Sequence, residues 1–289
     1  MPKYGGPNGY GHIPNPDFVH VDPFRKLSES IKSDGSAPTI DLSSFAMPVA
    51  DQGSTSSCPG HAVAGAVYTT CAAQGHQLPY VPSPKGIYTD ARCIDRTPSP
   101  ELGWALPPLT DEGAFPDQAV RAIAEWGVMP IQAPTTDGRY SDCDPVTIND
   151  EPTLNDLEAE SALVLTGAYG IDIDVIGKQR VMDLRKSLSN GYAVCFSTYV
   201  GIEFENWTPS KGPLKGVNGT PNHYVYLISY RTLPDGTTVF KFRNSWGPGW
   251  GIYGDGLGDE SFVAKMHDIY IMQVAATEHN LRAIARVDA

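Results

Sequence analysis

The sequence predicts an α+β protein of two lobes with a cleft between them, and three observations carry that expectation. At 289 residues the chain is long enough to divide into two sub-domains. From Pro38 to about residue 150 its patterned segments are helical, whereas from about Glu151 onward they read as strands. Between the first of the helices and the chain before it lies a polar, turn-rich stretch, DQGSTSSCPGHAVA (Asp51 to Ala64), in which loop becomes helix at a cysteine.

Residues 1–38 are rich in Gly, Pro and Tyr and cannot build a core of their own; only Phe24 to Ile31 could form an amphipathic turn or two. The helix expected from Pro59 to Gln74 is small or apolar nearly all round, which predicts burial on most sides, and Gly75 ends it. Ser83-Pro84 supplies an N-cap and a first-turn proline for a second helix. A third opens at Asp117, with Ala119, Val120, Ile123 and Trp126 on one face and Gly127 after its end. The proline-rich residues 94–116 between them are expected to line the cleft. A helix from Lys178 to Leu188 then precedes YAVCFSTYV, a buried strand in which Cys195 serves as a small hydrophobe. HYVYLISY and TTVFKFRN flank the turn signal Pro234-Asp235-Gly236 and predict an antiparallel hairpin. HDIYIMQVA supplies a last strand for a sheet or open barrel. The expected divisions are an N-terminal extension (1–38), a helical lobe (39–150), a β lobe (151–275) and a C-terminal tail (276–289).

The chemistry starts at Cys58. A thiol at a helix N-terminus meets the positive end of the macrodipole and unpaired backbone N–H groups, both of which favour thiolate. Pro59 fits the first helical turn and keeps Cys58 at the cap. A nucleophile needs a base, an orienter for that base and donors for an oxyanion. Gln52, six residues earlier, can fold its amide back beside the Cys58 N–H. His223 opens one strand of the hairpin and Asn244 closes the other, so the hairpin brings the two side chains to one end of the sheet.

With these residues in place the chain resembles the papain-like cysteine peptidases. The resemblance rests on Gln52-Gly53, Cys58, Asn222-His223 and the Asn-Ser-Trp-Gly box from Asn244 to Gly251, and runs from about Ile40 to about Val274. It implies Cys58 as nucleophile, His223 as general acid/base, Asn244 as the residue orienting the imidazole, Gln52 as oxyanion donor, and Trp246 as a shield over the His–Asn contact. For substrate binding it implies Gly113, with Glu112 at the rim of the cleft where the family has a further glycine, together with Asn222, Trp246 and Phe196, the last as one wall of the pocket for the substrate's second residue. It also implies a disulfide between Cys93 and Cys143. Another family disulfide is absent from the pattern, with Thr55 and Thr110 at its two ends, and the usual Cys-Trp-Ala-Phe is replaced by Cys58-Pro59-Gly60-His61. Family members commonly carry an inhibitory prosegment, longer and more helical than residues 1–38. The expectation here is an extended arm across the cleft, anchored by Tyr4, Tyr10 or Phe18.

Other chemistries are weakly supported. Cys58 and His61 have the spacing of helix-borne metal ligands but lack a complementary second pair, so neither a metal nor a cofactor is expected. GDGLGDE, residues 254–260, lacks the spacing of a calcium loop. A formal charge of −12 argues against nucleic-acid binding. No apolar run approaches the ~18 residues of a membrane span, and the N-terminus lacks a signal-peptide pattern, which leaves the compartment open. The expected partners are peptide or protein substrates and the chain's own N-terminal segment, with a monomer as the working state. Acyl transfer and silent binding on the same fold are the competing classes.

Overall fold

The structure, a computed structural model, describes residues 22–76, 78, 80–102, 105–131, 141–152 and 165–274. Chain order begins with β1 (Asp22–Pro23), α1 (Phe24–Ser30) and β2 (Thr39–Asp41). Three helices follow: α2 (Cys58–Ala73), α3 (Pro84–Cys93) and α4 (Pro116–Glu125). Then come β3 (Leu165–Ile171), α5 (Gly177–Ser189), β4 (Val194–Thr198), the single turn α6 (Ile202–Glu205), β5 (His223–Thr232), β6 (Thr238–Arg243), β7 (Asp255–Gly258), α7 (Glu260–Val263) and β8 (His267–Val274). No helix among the described residues is long and apolar enough to cross a membrane.

Local chemistry accounts for the helix boundaries. Ser83 caps α3, its side chain accepting from Gly86 N at 2.8 Å, and Asp259 caps α7 by accepting from Ser261 N and Phe262 N. In α2 thirteen residues from Cys58 to Cys71 are buried, as the uniformly apolar sequence requires of a helix enclosed on most sides.

The strands form one open sheet in the order β1-β3-β8-β4-β5-β6-β7, and β2 pairs with β5 beyond the point where β4 ends. All pairings are antiparallel except β1 with β3. The expected hairpin is β5 and β6, with Thr232 opposite Thr238 next to the turn and Tyr226 opposite Arg243. Both faces of the central strands are covered. Cys195, Tyr224, Tyr226 and Ile228 face a core shared with α2, α3 and α4, while Val194, Phe196, Val225 and Leu227 face a second core with α1, α5 and the aromatic residues of the β lobe. This alternation is why these strands read as continuous apolar runs.

Two expectations change. The described part of residues 1–38 is integral to the β lobe: α1 buries Phe24 and Leu27 in the second core beside Leu184 and Leu188. Short and lacking a side-chain cap, α1 gains its helicity from that contact, which local sequence does not reveal. Tyr4, Tyr10 and Phe18, and the tail, lie outside the described residues. The second change concerns Cys93 and Cys143, which are both free thiols. Cys143 is buried, with its thiol beside Ser57 and Ser141, whereas Cys93 is half-buried among Arg96, Asp90 and Glu151.

Candidate active site

The position of Cys58 follows from how α2 lies on the sheet. Ala193 N donates to Thr70 Oγ1 at 3.1 Å, and Cys195 Sγ donates to Ala62 O at 3.3 Å. Going back along α2 from Thr70 to Ala62 therefore moves from Ala193, just before β4, to Cys195 within it, toward the end where Thr198 pairs with His223. Cys58 is one further turn in that direction, about 6 Å at 1.5 Å per residue, and so sits at the end of the sheet where His223 begins β5. Ser57 is the N-cap, and Cys58 opens the helix.

The loop before Cys58 is folded back on itself. Thr55 N and Oγ1 donate to Gln52 O at 3.3 and 2.8 Å, and Gln52 Nε2 donates to Thr55 O at 2.8 Å. This places the Gln52 carboxamide beside the start of α2. The same loop is joined to the segment that follows β6 and carries Asn244. Gln52 N donates to Ser245 O at 2.9 Å, Gly247 N donates to Ala50 O at 3.0 Å, and Asp51 bridges to Trp246.

Ser245 connects the two halves of the site. Its Oγ donates to Gln52 Oε1 at 2.5 Å, and its N–H donates to Asn244 Oδ1 at 2.8 Å. That second bond fixes the Asn244 amide with its oxygen toward His223, so His223 Nε2, 2.7 Å from the same oxygen, carries a proton. Trp246 stacks on the imidazole with ring centroids 4.9 Å apart. Phe204 meets the imidazole edge-on at 6.1 Å and in turn stacks on Trp250 at 5.2 Å. Gln52, His223 and Asn244 are all buried, so their contacts act in a low-dielectric setting.

Burial raises the pKa of Cys71 to about 12 and pushes those of Cys143 and Cys195 up as well. Burial also pushes up the pKa of the half-buried Cys93 thiol. No cluster of three or more potential metal-ligating side chains occurs among the described residues.

The residues expected to touch substrate divide. Glu112 is exposed. Gly113, in a left-handed conformation at φ +97, is buried, and its N–H donates to Tyr88 Oη at 3.1 Å. Asn222 spends its carboxamide on Val200, accepting from N at 2.7 Å and donating to O at 3.2 Å. Phe196 is not a pocket wall: it is fully buried, with its ring edge-on to Phe242 and Phe262 at 6.0 Å each. The parity of β4 is the reason, since Cys195 and Ser197 take the face toward α2.

Three contributors escaped the sequence reading. Asp111 ties the cleft loop to the nucleophile loop, Oδ1 accepting from Ser56 N at 2.9 Å and from Tyr88 Oη at 2.8 Å, while its carbonyl accepts from Ser56 Oγ at 3.1 Å. This polar tie stands next to Thr55 and Thr110, where the family disulfide was expected to be lost. Ser245 had no assigned role inside the Asn-Ser-Trp-Gly box. Phe204 carried no signal, because it belongs to a short segment whose position depends on the loop after β4.

No family model matches the sequence, and no curated protein matches it. Solved structures do. The chain is similar to xylellain, a cysteine protease from Xylella fastidiosa, with a TM-score of 0.68 and 20% identity over 95% of this chain and 99% of that one. It is also similar to digestive procathepsin L 3 of the Tenebrio molitor larval midgut, with a TM-score of 0.60 and 19% identity over 92% of this chain and 76% of that one. For the bromelain protease from Ananas comosus, in complex with the E64 inhibitor, the TM-score is 0.56 and the identity 17% over 83% of this chain and all of that one. The chain therefore has the two-lobed α+β fold of the papain-like cysteine proteases.

Proposed function

We propose that the protein is a cysteine peptidase that hydrolyses peptide bonds through Cys58, His223 and Asn244. The observation that carries this reading is the continuous chain of hydrogen bonds from His223 Nε2 through Asn244 and Ser245 to Gln52, ending beside the helix terminus that bears Cys58. Asn244 holds Nε2, so Nδ1 exchanges the proton with the thiol. The Cys58 thiolate attacks the peptide carbonyl carbon, and the C=O electron pair moves onto oxygen, where the Cys58 N–H and the second hydrogen of Gln52 Nε2 receive it. His223 gives its proton to the leaving amine as the C–N bond breaks, leaving a thioester. Water then adds, His223 taking its proton, and release of the acid restores the thiolate and imidazolium pair. Trp246, stacked on the ring, keeps water from the His–Asn contact. No step calls for a metal or cofactor.

In the same reading the N-terminal arm lies across the cleft and restrains activity. The packing of α1 on the β lobe supports a division of labour in which residues 22–38 anchor the arm and the residues before Asp22 do the covering. The central test is Cys58→Ala, expected to fold as the parent does, to lose peptide turnover and to escape labelling by a peptidyl epoxide. Hydrolysis by the pure variant at the parent rate overturns the assignment.

A further inference from the structure

His61 lies one turn after Cys58, almost fully buried at 2% exposure, and the reaction above does not use it. Its hydrogen bonds have a fixed direction. Nδ1 is 3.0 Å from Ser57 O, a carbonyl that can only accept, so Nδ1 carries the proton. Nε2 then holds the lone pair and accepts from Ser141 Oγ at 2.8 Å. Nδ1 is also 3.2 Å from Ser57 Oγ. Thr55 Oγ1 gives its hydrogen to Gln52 O, so across the 2.6 Å contact between the two hydroxyls Ser57 is the donor. One directed chain thus runs from Ser141 through His61, Ser57 and Thr55 to Gln52, whose Nε2 returns to Thr55 O. Burial lowers the His61 pKa, so the neutral form that this polarity requires is the one burial favours.

We propose that His61 is a positioning residue for the oxyanion donor: through Ser57 and Thr55 it sets the direction in which the Gln52 carboxamide points. The inference rests on the reading of Cys58 and Gln52 given above. His61 contacts no reacting atom; its influence falls on the transition state, where the oxyanion forms, rather than on substrate binding.

Two polar substitutions separate the arms of the ring. In His61→Asn the amide nitrogen can take the place of Nδ1 and keep the bond to Ser57, while the bond to Ser141 is lost. In His61→Gln the longer side chain reaches Ser141 and gives up Ser57. The expected result on a fluorogenic peptide is kcat within about threefold of the parent for Asn and a loss of roughly tenfold for Gln with KM unchanged, short of the ~10²–10³ that removal of an oxyanion donor costs. Alkylation of Cys58 by iodoacetamide forms an S–C bond, expels iodide and develops no oxyanion, so its rate should stay within about twofold in both variants. Equal kcat for the two variants, a larger loss for Asn than for Gln, or a fall in alkylation rate parallel to kcat overturns the proposal. If His61→Gln does not fold, Ser57→Ala breaks the chain at its next link and must lower kcat without changing alkylation; an unchanged kcat there overturns it equally. A parent protein that alkylates at Cys58 but hydrolyses no peptide refutes the peptidase reading itself, a different outcome from equal activity of parent and variants.

Discussion

The packing of α2 on β5 sets the spacing between Cys58 and His223, and Gly65→Ala tests it. A Cβ at Gly65 lies 2.3 Å from Tyr226 Cε1, 2.5 Å from Cζ and 2.6 Å from Oη. Comfortable carbon–carbon contact is ~3.5–4.0 Å, so ring and helix must part by more than ~1 Å. The ring has little freedom: Tyr226 is 3% exposed, and the cavity beside it is about 10 Å³, at the lower edge of what holds one water. The helix moves instead. Overpacking of this kind costs ~1–3 kcal/mol, and the better helix propensity of alanine returns ~1 kcal/mol, so the net destabilisation is ~0–2 kcal/mol. The catalytic cost is larger in proportion, since a displacement of ~1 Å between reacting groups can lower the rate ~100-fold. Gly65→Ala should therefore keep a cooperative unfolding transition close to that of the parent while losing most of its kcat on a peptide substrate. Full activity with unchanged or raised stability would show that Gly65 does not control the approach of the two lobes.

Three further outcomes follow from the same contacts. Arg243 and Asp255 form a buried pair, Nε to Oδ1 at 2.7 Å with side chains 11% and 9% exposed, and Arg243 also donates to Met47 O at 2.5 Å. Arg243→Met leaves a buried carboxylate uncompensated and should cost ~3–5 kcal/mol, read by chemical denaturation, with most of it recovered in Arg243→Met/Asp255→Leu. The unfolded-state pKa of His61 is near 6.5 and burial lowers it in the fold. Above pH 6.5 both states hold the ring neutral and the folded state keeps its full contribution. As pH falls below that value the unfolded chain binds a proton that the native state does not, and stability drops until the folded pKa is reached. His61→Asn should flatten that acid-side loss of denaturation midpoint, and parallel profiles would contradict the burial argument. Deleting residues 1–21 should raise turnover of a small peptide with the melting temperature unchanged; no gain in turnover removes the covering role. Deletion to residue 38 would also strip Leu27, 1% exposed, and unsettle the second core.

Much of this architecture could be read from the chain because it is encoded locally. Pro59 and Ser83-Pro84 mark helix starts, and Pro234-Asp235-Gly236 closes the hairpin that delivers His223 and Asn244 to one end. Sequence and structure part where parity or distance decides. Phe196 differs from its neighbours only in which face of β4 it takes, and a strand buried on both sides gives no alternation to read. Family resemblance pairs Cys93 with Cys143, whereas the position of Cys143 beside Ser57 depends on contacts made far along the chain. Asp111 and Ser245 look like ordinary polar residues in the sequence because their partners lie across loops or in the other lobe. The spacing of His61 to Cys58 suits a metal ligand, while the fold gives both of its nitrogens to serine residues.

The strap formed by Ala50, Asp51 and Gln52 along Ser245, Trp246 and Gly247 has a bearing on how the molecule admits a substrate. A clamshell motion that widened the groove would first have to peel this short ladder apart, and in doing so would tear the carboxamide of residue 52 from its place. Access and chemical competence would then be mutually exclusive. Entry is better served by displacement of surface chain, which leaves both walls standing.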